Sequence, residues 1–248
     1  MAYLEESDGT GVRREALVTA FGFVALTAGL WHWTGMPPEP LLVAYAGCAL
    51  LTYMVAAKLA GERALGPANR VTLYRALGVV ILAGVVTEPS LLGRVQWGWV
   101  SLALAVLILD ALDGYLARRC NASSHFGARF DMEVDAALIL TLCLGVWVLG
   151  ITGPWVLLLG LMRYAFIAAG WIWPRINRPL PESLRRKTIC VWQTASLVVV
   201  LVPVTPSWLA IWILALALAL LATSFTVDLA WLCRSGGHHE GNRRGTET

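Results

Sequence analysis

Apolar runs dominate the chain, and short polar breaks divide them into eight stretches at about 16–33, 41–58, 68–87, 96–118, 127–149, 154–173, 187–202 and 207–233. Each approaches the length of about 20 residues that carries a helix across the hydrocarbon core of a bilayer. The breaks hold residues that interrupt helices: Met36-Pro37-Pro38, Glu88-Pro89-Ser90, Gly153-Pro154 and the stretch from Pro203 to Pro206. The pattern predicts an all-α integral membrane protein built from transmembrane helices. Tryptophans near the run ends, among them Trp31, Trp33, Trp97, Trp99, Trp171 and Trp173, read as interfacial anchors.

Composition agrees with the pattern. The 248 residues are 58% hydrophobic and 14% charged, well below the roughly 25% charged share of a soluble domain, and the mean hydropathy is positive. A net charge of +3 with no basic block excludes nucleic acid as a partner. The cations report topology instead. With the N-terminus in the cytoplasm, Arg13, Arg14, Lys58, Arg63, Arg70, Arg75, Arg118, Arg119, Arg129, Arg175, Arg178, Arg185, Arg186, Lys187, Arg234, Arg243 and Arg244 fall on or near the cytoplasmic side, and only Arg94 lies opposite. Both termini are then cytoplasmic, and residues after Arg234 read as a disordered tail. Arg13-Arg14 ahead of an apolar run imitates a signal peptide, but no small-residue cleavage site follows, so the run reads as a retained helix. Cys48, Cys120, Cys143, Cys190 and Cys233 form no CxxC pair and read as small apolar fillers.

Ionisable residues gather from the third run onward, which makes the first two helices look like an appendage. The segment from Asp110 reads DALDGYLARRCNASSHFGARFDMEVD. An Asp at the bilayer centre costs about 2.5–3.5 kcal/mol on insertion scales, so four near one helix end need a reason. Asp110 and Asp113 are three apart, with Gly114 and Ala117 continuing their stripe; Asp131 and Asp135 are four apart and follow Gly127 by four and eight. A short link makes the two helices antiparallel neighbours and brings the four acids to similar depth. Such a cluster raises its own pKa values unless divalent cations neutralise it, and an all-oxygen set favours Mg²⁺ or Mn²⁺. The small residues serve either close ligand approach or ordinary helix packing in lipid, and Arg118 suits a helix C-terminus in any case. Glu133 points away from the acidic stripe, and His125 lies in the loop.

The spacing D-x2-D-G-x2-A-R-x8-G-x3-D-x3-D, filled by Asp110, Asp113, Gly114, Ala117, Arg118, Gly127, Asp131 and Asp135, resembles the signature of the class I CDP-alcohol phosphatidyltransferase family, and all eight positions match. A weaker likeness is the Asn-x2-Thr-x2-Arg pattern at Asn69, Thr72 and Arg75. The resemblance implies a six-helix transmembrane core over 68–233; the apolar runs and the placement of cations add two N-terminal transmembrane helices in 16–67 with no counterpart in that core, a cytoplasmic segment 1–15 and a cytoplasmic tail 234–248. It implies two metal ions on Asp110, Asp113, Asp131 and Asp135, with Asp135 as general base. It also implies that Gly114, Ala117, Arg118, Gly127, Asn69, Thr72 and Arg75 line the cytidine diphosphate site, and that the protein is a homodimer in a bacterial or archaeal cell membrane.

The expected reaction is transfer of a phosphatidyl group from CDP-diacylglycerol to an alcohol, releasing CMP, with the site at the cytoplasmic face where lipid and aqueous substrates meet. Arg163, an intramembrane cation, and the cluster Arg185, Arg186 and Lys187 would suit an acceptor that carries a phosphate, such as glycerol 3-phosphate or an inositol phosphate. Arg163 can instead pair with one of the acids, and the cluster can simply set topology. The alternative from another class is a transporter or proton relay using the clustered carboxylates; the grouping of the acids at one membrane face counts against a pathway across it.

Overall fold

The computed structural model describes residues 10–34, 37–58, 67–120, 125–172 and 183–235, without the side chains of 10, 30, 33–34, 58, 67–69, 112–120, 125–126, 128–129, 167, 170–172 and 233–235. Among the described residues every regular element is helical. They are α1 (Thr10–Thr34), α2 (Glu39–Lys58), α3 (Pro67–Val86), α4 (Pro89–Cys120), α5 (His125–Val148), a 3-10 turn (Pro154–Val156), α6 (Leu157–Ile172), α7 (Leu184–Val200) and α8 (Ser207–Ser235). Each apolar run of the sequence therefore corresponds to one helix. Three are long and apolar enough to cross a membrane among the described residues: Glu39–Ala57, Pro89–Ala111 and Ser207–Leu232.

The largest difference from the sequence reading is the start of α4, at Pro89 instead of 96. Pro89 reads as a breaker, yet proline lacks only an N–H that a first helical turn leaves unused. Glu88 completes this start by accepting hydrogen bonds from the Ser90 hydroxyl at 2.7 Å and the Ser90 backbone N–H at 3.4 Å. The added turns join the main helix through a kink at Val95, whose φ of −105° and ψ of 16° are not helical.

The chain forms two compact units, Met1–Thr141 and Leu142–Thr248. In the first, helices approach closely where side chains vanish. A Cβ on Gly84 of α3 would lie 2.5 Å from the Pro40 carbonyl oxygen of α2, and one on Gly78 would lie 2.6 Å from Val106 Cγ2 of α4. Trp99 of α4 is 3% exposed and donates its indole N–H to the Leu82 carbonyl at 3.1 Å. It is a core residue between α3 and α4, which corrects its reading as an interfacial anchor; Trp31 and Trp97 are exposed as expected. Phe23 of α1, Ala44 and Cys48 of α2 and Leu77 of α3 share one buried cluster. Arg70 adds a two-pronged ion pair to Glu15, with Nη2 2.7 Å from Oε1 and Nε 3.2 Å from Oε2. The first two helices are thus packed on α3 and share its core.

In the second unit, Leu197, Leu201, Ala210, Leu214 and Ala217 are fully buried. Gln193 donates to the Leu159 carbonyl at 2.9 Å, tying α7 to α6, and Phe166 meets Phe225 edge to face with ring centroids 5.5 Å apart, tying α6 to α8. Cys48 and Cys143 are buried free thiols, consistent with apolar filling, whereas Cys190 is exposed.

Candidate active site

Two helices bring the acids together. Asp110 comes from α4, and Asp131 and Asp135 stand one turn apart on α5, so their side chains leave the same face. One oxygen from each of the three lies within 4.8 Å of the others. Their side chains keep 35%, 39% and 33% exposure respectively, so the cluster opens to whatever occupies the space before it.

A third helix supplies the counter-charge. Arg75 of α3 is 0% exposed. Its Nη2 lies 2.7 Å from Asp110 Oδ1 and 2.5 Å from Asp135 Oδ1, and its Nη1 donates to Asp131 Oδ1. Thr72, one turn earlier on α3, is also buried. Among the described residues one guanidinium faces three carboxylates, and such an imbalance in a partly desolvated place is relieved by further cations. The donor set is all carboxylate oxygen from separate residues at short mutual distance. That fits a hard divalent ion such as Mg²⁺ or Mn²⁺ and does not fit zinc or copper preferences for nitrogen and sulfur.

The structure therefore joins Asp110, Asp131 and Asp135 as the sequence spacing predicts and adds Arg75, which the resemblance assigned to the nucleotide. Gly127 is part-buried two turns before Asp135, and Glu133 is exposed off the acidic stripe. The side chains of Asn69, Asp113, Ala117 and Arg118, and position Gly114 with them, lie outside the described residues; helical backbone continues through all of them.

The residues expected at the acceptor belong to the second unit. Arg163 is part-buried on α6, three residues before Phe166. Arg185 and Arg186 stand in the first turn of α7, where both turn toward Asp228 of α8: Arg185 Nη2 lies 2.5 Å and Arg186 Nη1 3.6 Å from Asp228 Oδ1. Lys187 beside them is exposed. Asp228 was missed by sequence reasoning. Its signal was a lone carboxylate within an otherwise apolar run from Ser207 to Cys233, which is costly in lipid unless it has a partner.

The model of the family described as CDP-alcohol phosphatidyltransferase matches residues 65–223, most of the chain. The chain belongs to that family. The matched region opens just ahead of α3 and closes within α8, so α1 and α2 precede it. Among similar proteins, the cardiolipin synthase (CMP-forming) of Streptomyces coelicolor is 33% identical over 107 residues, covering 43% of this chain and 50% of that protein. The CDP-diacylglycerol–glycerol-3-phosphate 3-phosphatidyltransferase 2 of Arabidopsis thaliana is 29% identical over 141 residues, covering 52% and 60%. The chain thus spans about half the length of the curated relatives it matches. No solved structure matches it.

Proposed function

We propose that this phosphatidyltransferase-family chain moves a phosphatidyl group from CDP-diacylglycerol to an alcohol that itself carries a phosphate, releasing CMP. The observation that carries the reading is the meeting of Asp110, Asp131 and Asp135 from two helices around one point, within the family match. Asp113, three residues from Asp110, completes the acidic set. Mg²⁺ or Mn²⁺ ions, when bound to these acids, neutralise the donor pyrophosphate and stabilise the charge on departing CMP.

The chain's own residues do the rest. Asp135 accepts the proton of the attacking hydroxyl; that oxygen bonds to the phosphorus nearest the diacylglycerol as the bond from this phosphorus to the CMP oxygen breaks. Arg75 holds the three acids in register while their negative charge is only partly balanced. Gly114, Ala117, Arg118, Gly127, Asn69 and Thr72 line the nucleotide site, where glycine and alanine admit the donor close to the helix backbone. Arg163, Arg185, Arg186 and Lys187 recognise the acceptor phosphate. The relatives' names support both ends of the reaction: one gives CMP as product, the other gives CDP-diacylglycerol and glycerol 3-phosphate as substrates.

In this reading residues 68–233 form the six-helix catalytic core, 16–67 are accessory transmembrane helices that support α3, and the acids face the cytoplasm. The test is CMP release by purified protein from CDP-diacylglycerol, with glycerol 3-phosphate, an inositol phosphate, phosphatidylglycerol, free inositol and choline as acceptors. Release with a phosphate-bearing acceptor and little with choline or free inositol is expected. Equal rates with choline would end the acceptor assignment, and no release with any alcohol would end the reaction assignment.

A further inference from the structure

We infer that Asp228 is a positioning residue for the acceptor: one buried carboxylate on α8 that aims the guanidinium groups of Arg185 and Arg186 at the acceptor's phosphate. The inference rests on the acceptor site proposed above and concerns a residue outside the family signature.

Three facts make the arrangement hard to explain as topology alone. Arg185, Arg186 and Lys187 fill the first turn of α7, where the helix macrodipole already presents positive charge and cations are disfavoured. The positive-inside requirement is met equally well by Arg175 and Arg178 in the preceding segment, so it does not demand cations within the helix. Asp228 lies within the apolar span Ser207–Leu232 and is 9% exposed, and a buried carboxylate is costly without a charged partner.

The geometry then says what the carboxylate does. Arg185 and Arg186 are consecutive, so on a helix their Cβ atoms diverge by about 100° and the two side chains do not share a face. A single oxygen, Asp228 Oδ1, draws both guanidiniums to one side of α7. Each guanidinium carries five N–H donors in a fixed fork, more than one carboxylate oxygen can accept. The side chains of Arg185 and Arg186 retain 36% and 30% exposure, so the group is held in place and still accessible. A phosphate dianion, or a lipid phosphodiester, has the charge and the several acceptor oxygens to match such a pair of forks.

The test compares Asp228→Asn, Asp228→Glu, Arg185→Gln and Arg186→Gln with the parent full chain in the CMP-release assay, varying glycerol 3-phosphate and CDP-diacylglycerol in turn. Asp228→Asn keeps the shape but not the charge, and its acceptor KM for the phosphate-bearing alcohol should rise about tenfold, as expected for loss of a charge-assisted bond. Its KM for CDP-diacylglycerol should be unchanged, and Asp228→Glu should recover most of the loss. A thermal midpoint equal to the parent's confirms that the effect is not unfolding; should Asp228→Asn fail to fold, Asp228→Glu and the two arginine variants carry the comparison. If the arginine variants raise the acceptor KM and Asp228→Asn does not, the positioning role is overturned and the acceptor site stands. If the arginine variants leave the acceptor KM alone, the acceptor site falls and the role of Asp228 falls with it. Equal changes in both substrates' KM values mean a purely structural Asp228 and overturn the inference.

Discussion

Replacing Arg75 by leucine tests how the acidic cluster is held together. Among the described residues Arg75 is the cation that faces Asp110, Asp131 and Asp135, and it is wholly enclosed. Removing one member of a buried ion pair while its partner stays buried costs about 3–5 kcal/mol. Here the acids keep about a third of their side-chain exposure, and solvent relieves part of that cost, which lowers the expected loss to about 2–3 kcal/mol. Urea unfolding in mild detergent, followed by tryptophan fluorescence in EDTA, measures it. In an Asp131→Asn background the same substitution should cost about 1 kcal/mol less, because one of the uncompensated charges has already gone. Millimolar Mn²⁺ should restore part of the loss to Arg75→Leu by neutralising the acids and binding only the folded state. Parent-like stability of Arg75→Leu, or strict additivity with Asp131→Asn, would refute the claim that this guanidinium balances the cluster.

Further outcomes follow from packing and chemistry. Gly84→Ala places a methyl group 2.5 Å from the Pro40 carbonyl oxygen, whereas Gly98→Ala meets nothing within 4 Å; the first should lose about 1–3 kcal/mol and the second stay within about 0.5 kcal/mol of the parent or gain, as read by thermal unfolding. Trp99→Phe removes the indole bond to the Leu82 carbonyl and part of the α3–α4 core, so its unfolding midpoint should fall by an amount equivalent to about 1 kcal/mol. Asp135→Asn, correctly inserted, should slow CMP release by about 10²–10⁴-fold, the range for loss of a general base; undiminished release would remove Asp135 from that role.

Much of the site was legible because helical periodicity is local. The three- and four-residue spacings of Asp110, Asp113, Asp131 and Asp135 put carboxylates on matching stripes of two consecutive helices, and a short link leaves few ways to pair them. The partner of those acids was not legible. Arg75 lies 56 residues before Asp131 and 60 before Asp135, and periodicity within α3 shows only that Thr72 and Arg75 share a face, with no indication of what that face meets. Asp228 was overlooked for a related reason: its apolar neighbours dominate the run, and its hydrogen-bond partner Arg185 sits 43 residues away on another helix. Trp99 was misread because tryptophan near a run end suits a membrane interface and a helix pair equally, until Leu82 supplies the acceptor. The early start of α4 was hidden by Pro89, which breaks a helix interior but opens a helix readily.

The central claim is that acids from α4 and α5 form one divalent-ion site. Titration of the purified protein with Mn²⁺, reading free ion by electron paramagnetic resonance, tests it most directly. Saturable binding should weaken at least about tenfold in Asp110→Asn and in Asp131→Asn alike, since each helix supplies ligands to the same centre. Parent-like Mn²⁺ binding in either variant would contradict a shared site.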